Sequence, residues 1–461
     1  MDFLSFFVDG LGCASYLVGS EAKGVAAVID PERDVQKYLD AAQARGLKIT
    51  HIIETHLHAD HVSGNTDLAA RTGAQIYLHE AANAGFPHQP LKDGDVLELG
   101  EARIAVRHTP GHTPESVTLL VSDASRSEQP LMALTGDLLF VGDVGRPDLV
   151  GLEAARGLAS DLYESLFHNL LNEGDHLVIY PAHGEGSLCG RAIGSERSST
   201  LGYEKRFNPA LAPREKDDFV EFMTTNLPEQ PGNFRRIKAM NRKGPRPLGE
   251  VTPKPLTVVD AIPHFRRGAA MLDTRSKEDF VARHIQGAAN LPADDQLSNR
   301  VGFVLPPDVP LILLVNDETE YREVVLSLAR VGYENVIGYL EGGLRAWEAY
   351  GLPVTSGDVQ DLQPVELQAL LKDGVRPTVV DVREPWEYKT GHVTGSKLIP
   401  LGQLAQRLNE LDPEQPVAVI CQSGSRSQSA AALLAQKGFK KIYNVVGGMS
   451  AWQMSGLEIA R

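Results

Sequence analysis

The segment MLDTRSKEDFVARHIQGAANLP, residues 271–292, lies without a gap on VVDVREPWEYKTGHVTGSKLIP, residues 379–400. Asp273 thereby meets Asp381, Arg275 meets Arg383, His284 meets His392 and Gly287 meets Gly395. A second pair follows, residues 311–347 along 417–452, with a double glycine and a tryptophan superposed. Self-similarity at this spacing leaves the second half one solution, two copies of a single α/β unit, each near the lower size limit of a domain. Aligned on the glycines, Cys421 falls opposite Asn316 and Arg426 opposite Tyr321, so only the second copy can perform thiol chemistry.

The first 200 residues alternate apolar runs with helical ones. ASYLVG, GVAAVID and ITHIIETH read as strands, and VQKYLDAAQARG reads as a helix closed by a glycine. This predicts a layered α/β domain, with part of 213–241 helical and NRKGPRPLGEVTPKPL a linker. At 461 residues about three domains are expected, bounded at 1–243, 251–355 and 359–461.

A net charge of −15 argues against nucleic acid, whose phosphates are bound through basic patches. No apolar run approaches the roughly 18 residues a membrane span needs. MDFLSFFVDG lacks the basic flank of a secretory leader, so a cytoplasmic protein is expected, with no membrane partner. Three dispersed cysteines, Cys13, Cys189 and Cys421, do not make a disulfide framework. No sequence feature bears on self-association, which a repeated copy leaves open.

ETHLHADH, residues 54–61, crowds His56, His58, Asp60 and His61 where a strand meets a helix. His-x-His-x-Asp-His at such a junction is a metal-ligand arrangement, and HVSGNTDLAART is the helix expected after it. His112 in TPGHTPES, Asp137 in LTGDLLF and His183 in IYPAHGEG complete seven candidate ligands. His51, His79, His88 and His108 lack such a setting and read as packing or surface residues.

Together these motifs resemble the metallo-β-lactamase fold, an αββα sandwich. On that resemblance two chemistries are open. In a glyoxalase II-like enzyme two zinc ions would be held, one by His56, His58 and His112, the other by Asp60, His61 and His183. Asp137 would bridge them, and a thioester would be hydrolysed. In the persulfide dioxygenases one Fe(II) is held by two histidines and a carboxylate, here His56, His112 and Asp137. His58, Asp60, His61 and His183 then surround that triad as orienting groups or a second metal position.

TGDLLFVGDVGRPD resembles the dioxygenase segment. Arg146 there matches the family's anchor for the carboxylate of the thiol carrier, and Cys189 its cysteine near the iron. AHGEG stands where glutathione-using members have AHDY, so their tyrosine contact is missing.

CQSGSRS follows the apolar run PVAVI as a tight loop at a helix start. Amide hydrogens, Arg426 and the helix dipole lower a thiol's pKa there and cradle an anion. Cys421 and Arg426 bracket four residues, one fewer than in the phosphatases on a related fold. The shorter ring resembles rhodanese, in which the cysteine carries a persulfide, and DVREPWEY, GHVTGS and GGMSAW fit that family over 359–461. Asp381 and Arg383 complete the candidate catalytic set, either by holding the loop or as a structural ion pair.

The resemblance as a whole is to a fusion of a persulfide dioxygenase with an inactive and an active rhodanese. It implies oxidation by O2 of a glutathione or coenzyme A persulfide to sulfite, coupled to sulfur transfer giving thiosulfate. The zinc hydrolase fused to a rhodanese is the alternative.

Overall fold

In the computed structural model, which describes residues 1–461 apart from 213–214, 226, 228–232, 358 and 373–376, the apolar runs of the first 200 residues form two six-stranded sheets. The first carries Asp2–Val8, Cys13–Ser20, Val25–Ile29, Lys48–Ile53, Gln75–His79 and Gln89–Leu91 in chain order. The second runs from Val96–Glu98 through Ala102–His108, Val117–Asp123, Met132–Gly136 and Val178–Pro181 to Ser199–Thr200.

The inner faces meet in one core, where Tyr16, Val18, Ile29 and Ile53 pack against Ile104, Val106, Leu119 and Leu134. Because strand side chains alternate, each sheet has a second apolar face to cover. Gln36–Ala44 and Asn65–Thr72 cover one through Tyr38 and Leu68. Leu152–Tyr163 and Lys216–Thr224 cover the other through Leu162 and Phe219. This is the expected αββα sandwich. The helix read from His61 begins only at Asn65, because residues 61–64 belong to the loop that carries the ligands. Of the stretch 213–241, Lys216–Thr224 and Phe234–Lys243 are helical, and part of it lies outside the described residues.

The chain forms two compact units, Met1–Glu250 with Ala329–Gly332, and Val251–Leu328 with Tyr333–Arg461. The second unit holds two parallel five-stranded sheets of identical order. One is Pro255–Leu256, Val336–Leu340, Leu311–Leu314, Ala270–Asp273 and Ala289–Asn290. The other is Val359–Leu362, Ile442–Val445, Val417–Ile420, Thr378–Asp381 and Lys397–Leu398. The matched details repeat as well. His284 lies on the Phe280 ring and His392 on the Tyr388 ring, both at 3.7 Å. Each Nδ1 faces the backbone carbonyl of that same aromatic residue. Trp347 and Trp452 each donate to a carbonyl six residues on.

Sheet register corrects the residue correspondence at the thiol loop. Asp273 pairs with Leu314 and Asp381 with Ile420, so Val315, not Asn316, stands opposite Cys421. Likewise Glu320, not Tyr321, stands opposite Arg426. The reason is one extra residue in the first copy. Its central strand pairing jumps from Val336 to Gly338 between Leu311 and Ile312, whereas Val417–Val419 and Ile442–Asn444 pair without a break. Alignment on the glycines carries that insertion back into the loop.

Each copy also pairs a buried carboxylate with an arginine two residues on, Arg275 on Asp273 and Arg383 on Asp381, and in the second copy the arginine is buried as well. Removing one partner leaves an unpaired buried charge. Asp381→Ala is therefore expected to destabilise the second copy by about 3–5 kcal/mol, read as a lower denaturant midpoint.

Candidate metal centre and thiol loop

The ligand-bearing loop is fixed from behind. Asp30, at the end of Val25–Ile29 with φ 50°, accepts the Thr55 amide at 2.7 Å and the Thr55 hydroxyl at 2.8 Å. That holds the chain where Lys48–Ile53 passes into His56. From the other side, Asn241 on Phe234–Lys243 donates to the His58 and His61 carbonyls at 2.8 Å each and accepts from the Ser63 amide at 2.9 Å.

His56, His112 and Asp137 converge at the strand ends, all buried. His112 Nδ1 lies 2.9 Å from the Arg146 carbonyl and His56 Nδ1 3.0 Å from the Thr55 hydroxyl, so each ring turns its Nε2 inward. Those two nitrogens lie 3.3 and 3.7 Å from Asp137 Oδ2. None of these three atoms has a hydrogen-bond partner among the described residues. Burial lowers the pKa of both histidines, although Asp137 opposes it at His112. Two neutral imidazoles and a carboxylate, with orphaned lone pairs aimed at one another, fit a divalent metal ion. Gly145 is required beside them, since a Cβ there would stand 1.9 Å from the Asp137 carbonyl oxygen.

His183 stands behind Asp137. Its Nδ1 is 2.6 Å from Asp137 Oδ1 and its Nε2 2.7 Å from Asp60 Oδ2. Burial disfavours the imidazolium, but the carboxylates on both sides prevail and raise its pKa. Asp60 continues the chain to His61 Nδ1 at 3.2 Å, and the Cys13 thiol reaches Asp60 at 3.3 Å and His61 at 3.5 Å. Cys13, Asp60, His61 and His183 thus form a second four-donor group. His58 joins neither group and lies with Asp30 and Glu54 in a third.

Arg146 is buried, with both fork nitrogens on Asp148 at 2.7 and 2.8 Å. Its backbone carbonyl is the group that faces His112 Nδ1. Cys189 is buried within ligand reach of Asp137 and His183, and burial raises its pKa well above the usual thiol range. Asp30, Asn241 and Cys13 were not singled out as site residues from the sequence. Asn241 lies some 180 residues from its partners, and no local pattern marks it.

In the second unit, Val417–Ile420 delivers Cys421 to a loop in which the Gly424 amide donates to its sulfur at 3.1 Å. The helix Ser425–Gln436 begins immediately after. Ser427 lies 3.6 Å from the sulfur and is bonded to Asn444. The loop rests on the double glycine. The Cys421 carbonyl accepts the Met449 amide at 2.7 Å, and a Cβ on Gly448, whose φ is +57°, would stand 2.3 Å from that oxygen. Arg426 is held by Glu387 through two bonds of 2.7 Å. Arg383, besides binding Asp381, reaches Gln422 at 3.1 Å and so ties the buried pair to the loop.

In the first copy the corresponding loop holds its own carboxylate. Glu320 accepts from the Asn316 amide and side chain at 3.0 and 2.7 Å and from the Thr274 hydroxyl at 2.6 Å. A cation beside the thiol in one copy is an anion in the other.

The metallo-beta-lactamase superfamily model matches residues 8–183, and the rhodanese-like domain model matches 261–350 and 363–455. The chain is 31% identical over 218 residues to the mitochondrial persulfide dioxygenase of Bos taurus, covering 47% of this chain and 78% of that protein. It is 32% identical over 257 residues to a probable metallo-hydrolase of Burkholderia pseudomallei, covering 47% and 84%. A solved metallo-beta-lactamase from Staphylococcus aureus is 32% identical, with a TM-score of 0.67 over 74% of this chain and 98% of that one.

Asn241→Ala leaves three backbone groups of the ligand loop without their partner. It is expected to cost on the order of 2–4 kcal/mol and to lower the metal content of the purified chain. Because the pKa values of His56 and His112 are depressed, protons compete for their ring nitrogens only at low pH. Bound metal should therefore survive gel filtration at about pH 6, below the ordinary histidine midpoint of about 6.5, and be lost only in stronger acid.

Proposed function

For a chain that belongs to the persulfide dioxygenase and rhodanese fusions of the metallo-β-lactamase superfamily, we propose oxidation of a low-molecular-weight persulfide by O2 at one ferrous ion, coupled to sulfur transfer at Cys421. The observation that carries this reading is the division of labour among the ligand candidates. His56, His112 and Asp137 turn orphaned donor atoms on one another, as His58 and His61 keep orphaned nitrogens beside them, while both nitrogens of His183 already face carboxylates. A histidine so engaged orients Asp137 and has no lone pair left for a second ion. Fe(II) held by the triad would supply the redox chemistry that joins O2 to a sulfur substrate.

The surrounding residues then have defined tasks. The Arg146 carbonyl fixes which nitrogen of His112 carries the proton, and protonated His183 engages Asp137 Oδ1, which leaves Oδ2 facing the two inward nitrogens. The net reaction takes persulfide, O2 and water to thiol, sulfite and two protons. At the second site Cys421 accepts the outer sulfur of another persulfide and releases its thiol. It then passes that sulfur to sulfite, forming thiosulfate. The first copy, with Val315 in place of the cysteine and Glu320 in place of Arg426, takes no part in the transfer.

A two-zinc hydrolase is the second reading. The Cys13, Asp60, His61 and His183 group and the Burkholderia pseudomallei relative favour it.

Dissolved oxygen followed in Fe(II)-loaded protein separates these readings. Persulfide should drive uptake that falls at least about 10²-fold in His112→Ala, which removes a ligand. Uptake persisting in that variant, or absent from protein holding one iron, would remove the dioxygenase. Cys421→Ser is expected to keep oxygen uptake and to lose thiosulfate formation, measured by chromatography of the products. Two zinc ions per chain with thioester cleavage would establish the hydrolase.

A further inference from the structure

The helix Phe234–Lys243 covers the ligand loop with one face. Phe234 packs beside Ala59, Phe140, Leu149 and Cys189, and Asn241 bonds the His58 and His61 carbonyls. Lys238 is four residues after the first and three before the second, so all three share that face. Its side chain is the reverse of an ordinary lysine, which buries its stem and keeps its ammonium in water. The residue is half-buried, yet Nζ is withdrawn from solvent and has no hydrogen-bond partner among the described residues.

Two charged groups act on this ammonium, Glu115 and Arg242. Glu115 makes no ion pair with it among the described residues and accepts the Leu57 amide at 3.1 Å instead. The lysine's own charge reaches His112. A withdrawn ammonium without a partner is costly, and no protein group among the described residues closes on it. A ligand whose sulfur lies at the triad and whose acidic group lies under this helix would close on both.

We infer that Lys238 is a binding subsite for an anionic group, carboxylate or phosphate, on the thiol carrier of the persulfide. The inference rests on the persulfide reading above and adds the chemical class of the carrier.

Binding of unreactive thioethers to the full metal-loaded chain, by titration calorimetry, tests this without turnover. Two matched pairs separate the sources of the anion: S-methylglutathione against its diester, and S-methyl-4′-phosphopantetheine against S-methylpantetheine. In the wild type one acidic member should bind at least about tenfold tighter than the member that lacks the acid, equivalent to about 1.4 kcal/mol. The pair that shows this names carboxylate or phosphate. Lys238→Met should abolish the preference and Lys238→Arg should keep it, and Lys238→Gln replaces the methionine variant if that one does not fold. No preference in either pair, or a preference that survives loss of the charge, overturns the subsite. Oxygen uptake with no acid preference removes this inference alone. An acid preference without any persulfide-driven uptake removes the dioxygenase reading and leaves an anion site.

Discussion

Asp137 is caught between two demands. One carboxylate oxygen is held by His183, which is itself held by Asp60, and the other points with His56 and His112 at a place no protein donor reaches. Burying so many ionisable groups is tolerable only because the chain is continuous, each charge facing an opposite one until the last oxygen is left over. The two sheets, the turn at Gly145 and the carbonyl of Arg146 all serve to bring that oxygen to the inward nitrogens of two neutral histidines.

The sandwich and the repeat were legible because they rest on periodic patterns. Alternating apolar runs specify sheets, and a gapless match specifies a second copy. The triad was legible for a related reason, since ligands delivered by strand ends fall in short dense motifs. What escaped was whatever a distant segment contributes. Asn241 arrives from a helix far along the chain, Asp30 acts on a strand two elements ahead of it in sequence, and Cys13 reaches the second donor group from a strand two places across the sheet. Arg146 and His183 were legible as site residues, but not the partners that decide what each can do.

The repeat shows where pattern matching stops. A single inserted residue at a strand bulge shifts the apparent partner of Cys421 by one position. Only hydrogen-bonded register reveals that Glu320 stands opposite Arg426. Glycines and tryptophans align well because they sit after the bulge, and the loop lies before it.

Glu320 has a consequence for how the two copies respond to their surroundings. A loop already folded around its own carboxylate has no use for an ion from solution and keeps its shape whether sulfur compounds are scarce or plentiful. The Cys421 loop turns its Gly424 amide to its own sulfur instead. Within the second unit one fold thus offers two loops of opposite character, one closed on a carboxylate and one whose amide faces a sulfur.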